Sequence, residues 1–340
     1  VPLDIARPGG AADLHRSPDL HRPPDLHRPP DLHCVFVNNM PDSAFAATER
    51  QFLGLLGAGA GATVIEVRRF SFAATTRGPK VAAYQAEQYF PMDELWDSAA
   101  DLAIVTGSEP LADSLETEPF WPESIQLLAW AEQRRTAVLL SCLAAHFALH
   151  AYDGIDRRRL AAKCAGVFAQ DLDRSSALTA GMLAPVLVPH SRLNDVAPAV
   201  VAGAGWDVVL SSPDVGWTAL SGVRRGCDIL LLQGHPEYDP TSLLREYRRD
   251  ANRYLGRERD VPPVLPARCV GPDDLPAIEA FHERVTTGRR DPAVMADFDF
   301  DAAGDRAPWP WRDTATQLYR NWIQQVARRV ERPTATSETG

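Results

Sequence analysis

The first strongly patterned stretch is Cys34-Val35-Phe36-Val37, an unbroken apolar run that stops at Asn38-Asn39-Met40-Pro41. A run this short, bounded by turn residues, predicts a strand buried on both faces. Phe52, Leu55 and Leu56 then recur at helical spacing, so residues 46–56 are read as a helix closed by Gly57. Thr63-Val64-Ile65-Glu66-Val67-Arg68 predicts a second strand, and Asp101-Leu102-Ala103-Ile104-Val105-Thr106-Gly107 a third that ends in a Gly turn. Residues 121–134 carry an amphipathic helical pattern. Thr136-Ala137-Val138-Leu139-Leu140-Ser141 is a strand that runs directly into the helical Leu143-Ala144-Ala145-His146-Phe147. Strands alternating with helices over short connections predict an α/β fold with a doubly wound, mostly parallel sheet.

Beyond residue 185 the pattern becomes more strand-like, in Val186-Leu187-Val188, Trp206-Asp207-Val208-Val209-Leu210, Trp217-Thr218-Ala219-Leu220 and Asp228-Ile229-Leu230-Leu231-Leu232. The last closes on Gly234-His235-Pro236-Glu237-Tyr238. Residues 241–255 form a charged helix, and residues 314–329 a final amphipathic one. Between them, residues 256–310 are rich in Pro, Asp and Arg, with one helical patch near 277–285, and read as a loop-rich insertion. One domain over residues 34–330 is expected, with a polar tail at 331–340.

Residues 13–33 stand apart as a repeat of the unit DLHRPP that spaces His15, His21, His27 and His33 evenly. Paired prolines and the lack of an apolar face predict that residues 1–33 form a disordered or extended tail. Metal binding by the four histidines ranks below a plain repeat expansion, and no metal is expected.

Composition narrows the function. The 340 residues carry 35 Lys and Arg against 45 Asp and Glu, a net charge of −10, with 45% hydrophobic residues. That is the balance of a soluble globular protein, and it argues against general nucleic-acid binding. No apolar run approaches a membrane span, and no secretory signal is visible. Five widely spaced cysteines without a CxxC pair suit a reducing, cytoplasmic setting and argue against a structural zinc site. Lys80 and Lys163 are the only lysines among the basic residues, so each calls for a reason.

Cys142 sits where a strand meets a helix, the place at which a nucleophile can stand above a sheet edge with helix N–H groups beside it. Taken alone it reads more readily as a buried structural cysteine. His235 and Glu237 follow another apolar strand two residues apart, so in extended chain they face the same side. Loops after different strands of a doubly wound sheet converge, which lets Cys142, His235 and Glu237 form a triad for acyl transfer through a thioester. The acyl acceptor, whether water, ammonia, an amine or an alcohol, is not set by spacing.

The ordered motifs Asn39-Met40-Pro41, Thr48-Glu49-Arg50-Gln51-Phe52-Leu53, Phe120-Trp121-Pro122, Lys163-Cys164-Ala165-Gly166-Val167-Phe168, Pro189-His190-Ser191-Arg192, Gly234-His235-Pro236-Glu237-Tyr238-Asp239, Arg249-Asp250 and Asn321-Trp322 resemble the homoserine O-succinyltransferase family. The resemblance runs over about residues 34–255 and returns at 311–322. It implies a class I glutamine-amidotransferase-like fold and a ping-pong acyltransferase of methionine biosynthesis. By resemblance Cys142 carries the acyl thioester, His235 is the general base and Glu237 orients it. Lys163, Ser191 and Arg249 bind the amino-acid substrate, and Leu111 stands at the position that selects the acyl donor. The implied substrates are L-homoserine and acyl-CoA, with no tightly bound cofactor, and a homodimer is implied too.

The chain departs from the better-known members at three places. Leu143 and His146 replace a Trp and a Gln, and Asp42-Ser43-Ala44-Phe45 replaces a pair of lysines. Leu111 is neither the Gly of succinyl-type members nor the Glu of acetyl-type members. Succinyl-CoA is the expected donor, with acetyl-CoA the alternative. Serine as acceptor, a glutaminase or other amidohydrolase, and a non-catalytic relative are the further alternatives.

Overall fold

The computed structural model describes residues 3–8 and 29–331. Among these, ten strands form one sheet: β1 (Leu3–Ile5), β2 (Leu32–Val37), β3 (Ile65–Phe70), β4 (Leu102–Val105), β5 (Ala137–Ser141), β6 (Arg158–Leu172), β7 (Val186–Asp195), β8 (Asp207–Ser212), β9 (Gly216–Arg224) and β10 (Cys227–Leu232). Ten helices connect or cover them: α1 (Asp42–Ala60), α2 (Pro79–Gln88), α3 (Met92–Asp97), α4 (Trp121–Arg134), α5 (Leu143–Asp153), α6 (Pro198–Gly203), α7 (Ser242–Leu255), α8 (Leu275–Thr287), α9 (Phe300–Asp305) and α10 (Arg312–Val330).

Strand order is β1-β3-β2-β4-β5-β10-β9-β8-β6-β7. Neighbours from β1 to β10 are parallel, and from β10 to β7 they are antiparallel. The parallel half explains the unbroken apolar runs. Val35 and Val37 pack with α4 and α5 on one face, while Cys34 and Phe36 pack with α1 and α10 on the other. A strand buried on both faces has no polar positions to alternate with.

Helix α1 runs past Gly57, where the sequence suggested a stop, to a left-handed Gly61. Packing overrides the local signal: a side chain at Gly59 would come within 2.7 Å of Tyr319 Cβ on α10, so a small residue lets the two helices touch. Order also begins earlier than expected. Leu3–Ile5, placed by composition in a disordered tail, forms edge strand β1 with Leu3 opposite Ile65, and β2 starts at Leu32 rather than Cys34. Most of the repeat, residues 13–28, lies outside the described residues, as do all but the first residue of the expected tail at 331–340.

The segment 256–310 is more structured than a loop-rich insertion. Helix α8 matches the expected patch, and a 3-10 turn over Pro292–Asp297 and α9 follow it. Ile278, Phe281, Val285, Phe298 and Phe300 close a third cluster over Leu243, Tyr247, Ala251 and Tyr254 of α7. The same segment is stitched to β6, where Val167 N–H donates to Ala267 O at 2.9 Å and Ala267 N–H to Ala165 O at 3.1 Å.

Candidate active site

Strands β4, β5 and β10 are adjacent and parallel, so their C-terminal ends deliver three turns to one place. Cys142 follows β5 as the residue capping α5, with φ 52° and ψ −114°. A non-glycine residue at positive φ is strained, and here the strain lifts a half-buried thiol out of the sheet edge. Its N–H is fixed by Leu232 O at 2.7 Å. Leu143 N–H opens α5 and has no acceptor within its own helix, so it is free to meet a developing oxyanion. Gly107, after β4, closes the other side: a side chain there would come within 3.0 Å of Cys142 Cβ and 3.2 Å of Leu143 N.

His235 and Glu237 arrive from β10. Both are buried, and His235 Nδ1 meets Glu237 Oε1 at 2.8 Å. The other nitrogen, Nε2, is buried without a hydrogen-bond partner, and the Cys142 thiol is close enough to act on the ring. Burial pushes the imidazole pKa down, but the Glu237 charge and the Cys142 sulfur together hold it well above its ordinary value. The fold therefore brings Cys142, His235 and Glu237 to one sheet edge, with the imidazole held by the carboxylate.

Lys163 on β6, Ser191 on β7 and Arg249 on α7 also come together, around two carboxylates that sequence reasoning did not assign. Lys163 Nζ lies 3.0 Å from both Glu246 Oε2 and Asp250 Oδ2. Ser191 Oγ donates to Glu246 Oε2, and Arg249 donates to Asp250 Oδ1 at 3.2 and 3.3 Å. Burial raises the pKa of each acid, yet Lys163 beside both, with Ser191 and Arg249, holds the two carboxyls below their ordinary values. Lys163, Arg249, Glu246 and Asp250 make a quartet of two cations and two anions, and Arg259 Nη1 is a further cation 3.5 Å from Asp250 Oδ1. Glu246, Arg249, Asp250 and Arg253 recur at i, i+3, i+4 and i+7, which sets them along one side of α7, beside the apolar stripe of Leu243, Tyr247, Ala251 and Tyr254. Tyr238 joins the two groups, its ring stacked 4.4 Å from His235 and its hydroxyl 2.5 Å from Glu246 Oε1.

Leu111 lies on the loop after β4 with 69% of its surface exposed. The loop is held by its backbone, through the buried pair Glu118 and Arg157. At Asp42-Ser43-Ala44-Phe45 the chain starts α1, and Arg77 comes back to the turn before it. Its guanidinium donates to Met40 O at 2.5 Å and Ser71 Oγ at 2.8 Å and lies over the Phe45 ring, so it serves the turn. Among the described residues no cluster of His, Cys, Asp and Glu is placed to hold a metal ion, and no helix is long and apolar enough to cross a membrane.

His146 is buried against Trp217 with Nδ1 unpartnered. Burial first, then the charges of Arg192 and Arg157, lowers its pKa from 6.5 to about 3. The folded chain keeps it neutral while the unfolded chain protonates it below 6.5, so its contribution to stability falls as pH drops from 6.5 towards 3. The slope is limited to about 1.4 kcal/mol per pH unit. Urea midpoints at pH 7 and 4.5 should therefore diverge less for His146→Gln than for the unaltered chain; equal divergence counts against this origin of acid sensitivity.

The homoserine O-succinyltransferase family profile matches residues 27–332. The homoserine O-succinyltransferase of Methylorubrum extorquens is 41% identical over 294 residues, which cover 86% of this chain and 87% of that one. Those of Rhodopseudomonas palustris and Bradyrhizobium japonicum are 39% and 38% identical, over 86% of this chain and 87% and 89% of theirs. Among solved structures, a glutamine amidotransferase from Thermotoga maritima aligns with 87% of this chain and 98% of its own at 11% identity and a TM-score of 0.47. A family profile that spans nearly all of the described residues, with relatives at this identity over most of both chains, places the chain in the homoserine O-succinyltransferase family.

Proposed function

We propose that this chain transfers an acyl group from acyl-CoA, with succinyl-CoA the preferred donor, to the hydroxyl of L-homoserine through a thioester on Cys142. The observation that carries the reading is the juxtaposition of triad and quartet. An α-amino acid brings one carboxylate and one ammonium, and a pocket whose cations and anions are already paired with each other can exchange partners with it without a change in net charge. Arg249 and Lys163 take the carboxylate, and Glu246 takes the ammonium. The side-chain hydroxyl then reaches toward His235, to which Tyr238 links the pocket.

In the first half-reaction the Cys142 thiolate attacks the CoA thioester carbonyl. Leu143 N–H meets the oxyanion, and CoA departs as a thiol with the proton from His235. In the second, the homoserine hydroxyl gives its proton to His235 Nε2 as its oxygen attacks the Cys142 thioester. The thiolate leaves and the resting pair is restored. Glu237 keeps the ring oriented through both steps.

Intact-protein mass spectrometry tests the reading. The enzyme is mixed separately with succinyl-CoA, acetyl-CoA and glutamine, then chased with homoserine or serine. A succinyl increment that homoserine removes is the expected result. Glutamine hydrolysis with no increment from either CoA ester overturns it in favour of an amidohydrolase.

The carboxylate clamp has its own signature. Arg249→Ala should raise KM for homoserine by about 10- to 100-fold, the worth of a charge-assisted hydrogen bond. KM for acyl-CoA should stay within about twofold by the same argument. Equal effects on both substrates would refute the assignment.

A further inference from the structure

Tyr238 stands between the two halves of the site and is held at three points. Its ring stacks on the His235 imidazole at 4.4 Å between centroids and 21° between planes. Its hydroxyl donates to Glu246 Oε1 at 2.5 Å. Its backbone carbonyl receives two indole N–H groups, from Trp309 at 3.1 Å and Trp311 at 2.8 Å. Glu246 Oε2 is meanwhile taken by Lys163 and Ser191, which leaves Tyr238 as the partner of Oε1. A tyrosine that only filled space would not need its hydroxyl on a carboxylate.

We propose that Tyr238 is a positioning residue that ties the acceptor pocket to the base, its ring setting the plane of His235 and its hydroxyl setting Glu246. The inference rests on the acyl-transfer reading and extends it. The side chain turns about only two bonds, so a shift of Glu246 that keeps its hydrogen bond to the hydroxyl also moves the ring that covers His235. An ammonium arriving at Glu246 is thereby felt at the imidazole that takes the hydroxyl proton.

The two half-reactions separate this role from a merely structural one. Loading of Cys142 from acyl-CoA needs His235 in plane but no acceptor, whereas discharge needs both. Tyr238→Phe keeps the ring and loses the hydroxyl. It should load from succinyl-CoA within about twofold of the unaltered rate, while half-maximal discharge should need about tenfold more homoserine, as expected for one lost hydrogen bond to a charged group. Tyr238→Leu loses the ring as well, and loading itself should slow by about tenfold or more, the scale of a misplaced acid–base group. Thermal midpoints of both variants verify the fold, and recovery of loading in Tyr238→Phe relative to Tyr238→Leu assigns that step to the ring. If Tyr238→Phe alters loading and discharge equally, or neither, the proposal is overturned. If the unaltered enzyme takes no acyl group from a CoA ester, the acyl-transfer reading fails, and the proposal with it.

Discussion

Cys142→Ala should take up no acyl group from succinyl-CoA or acetyl-CoA, and its turnover should fall by about 10⁴-fold or more, the scale seen when a nucleophile that works within a triad is removed. The reason lies in the elbow. Cys142 holds a positive φ that few side chains adopt without help, its N–H is tied to Leu232, and it shares the sheet edge with His235. Alanine can follow the same backbone but leaves nothing to form the thioester, so direct attack by homoserine on acyl-CoA would have to replace two easier steps. Homoserine binding should survive, because Lys163, Glu246, Arg249 and Asp250 do not touch Cys142. Saturable homoserine binding without a mass increment is the expected pair of results. Turnover within about tenfold of the unaltered enzyme would eliminate the covalent route.

Glu118→Ala should cost about 3–5 kcal/mol of stability, the range for stripping one partner from a buried ion pair. Arg157 Nη2 meets Glu118 Oε1 at 3.0 Å, with the two side chains 5% and 0% exposed. The pair also holds the donor loop: Leu111 N–H donates to both Glu118 oxygens at 3.0 and 3.2 Å, and Arg157 donates to Ala112 O at 2.5 Å. Without Glu118 a guanidinium stays buried with no counter-charge, and a loop that buries little apolar surface of its own comes loose. Glu118→Gln preserves the shape and one acceptor oxygen, so it should lose less. Urea unfolding of both variants decides the matter, and a change below about 1 kcal/mol for Glu118→Ala would mean that water already reaches the pair.

The parts of the fold that could be read from sequence are those buried on two faces. Strands β2, β4, β5 and β10 appear as apolar runs because helices cover both sides of them. Strand β6 was missed, since residues 158–163 are exposed or half-buried and only its second half enters the core. Helix α2 has no buried residue and so no stripe to detect. The segment 256–310 escaped for a related reason: α8 buries only Ile278, Phe281 and Val285, too few positions to stand out among its Pro, Asp and Arg neighbours.

The same logic divides the site. Cys142, His235 and Glu237 lie at ends of legible strands, so sheet topology alone brought them together. The pocket needs α7 to meet β6 and β7, and Glu246 on an arginine-rich helix reads as one more solvated charge. Only the tertiary contact with Lys163, Ser191 and Tyr238 shows that it is not.

Helix α7 presents Glu246, Arg249 and Asp250 to the pocket and Leu243, Tyr247, Ala251 and Tyr254 to the cluster built by residues 256–310. Local opening of that cluster would release the back of the helix and with it the placement of the charged groups in front. In linkage terms, any ligand that needs α7 in place adds its binding free energy to the cost of such an opening, about 2.7 kcal/mol at a hundredfold excess over Kd. Backbone amides of α8, which touch no substrate, would then exchange with solvent about a hundredfold more slowly in the occupied enzyme than in the empty one.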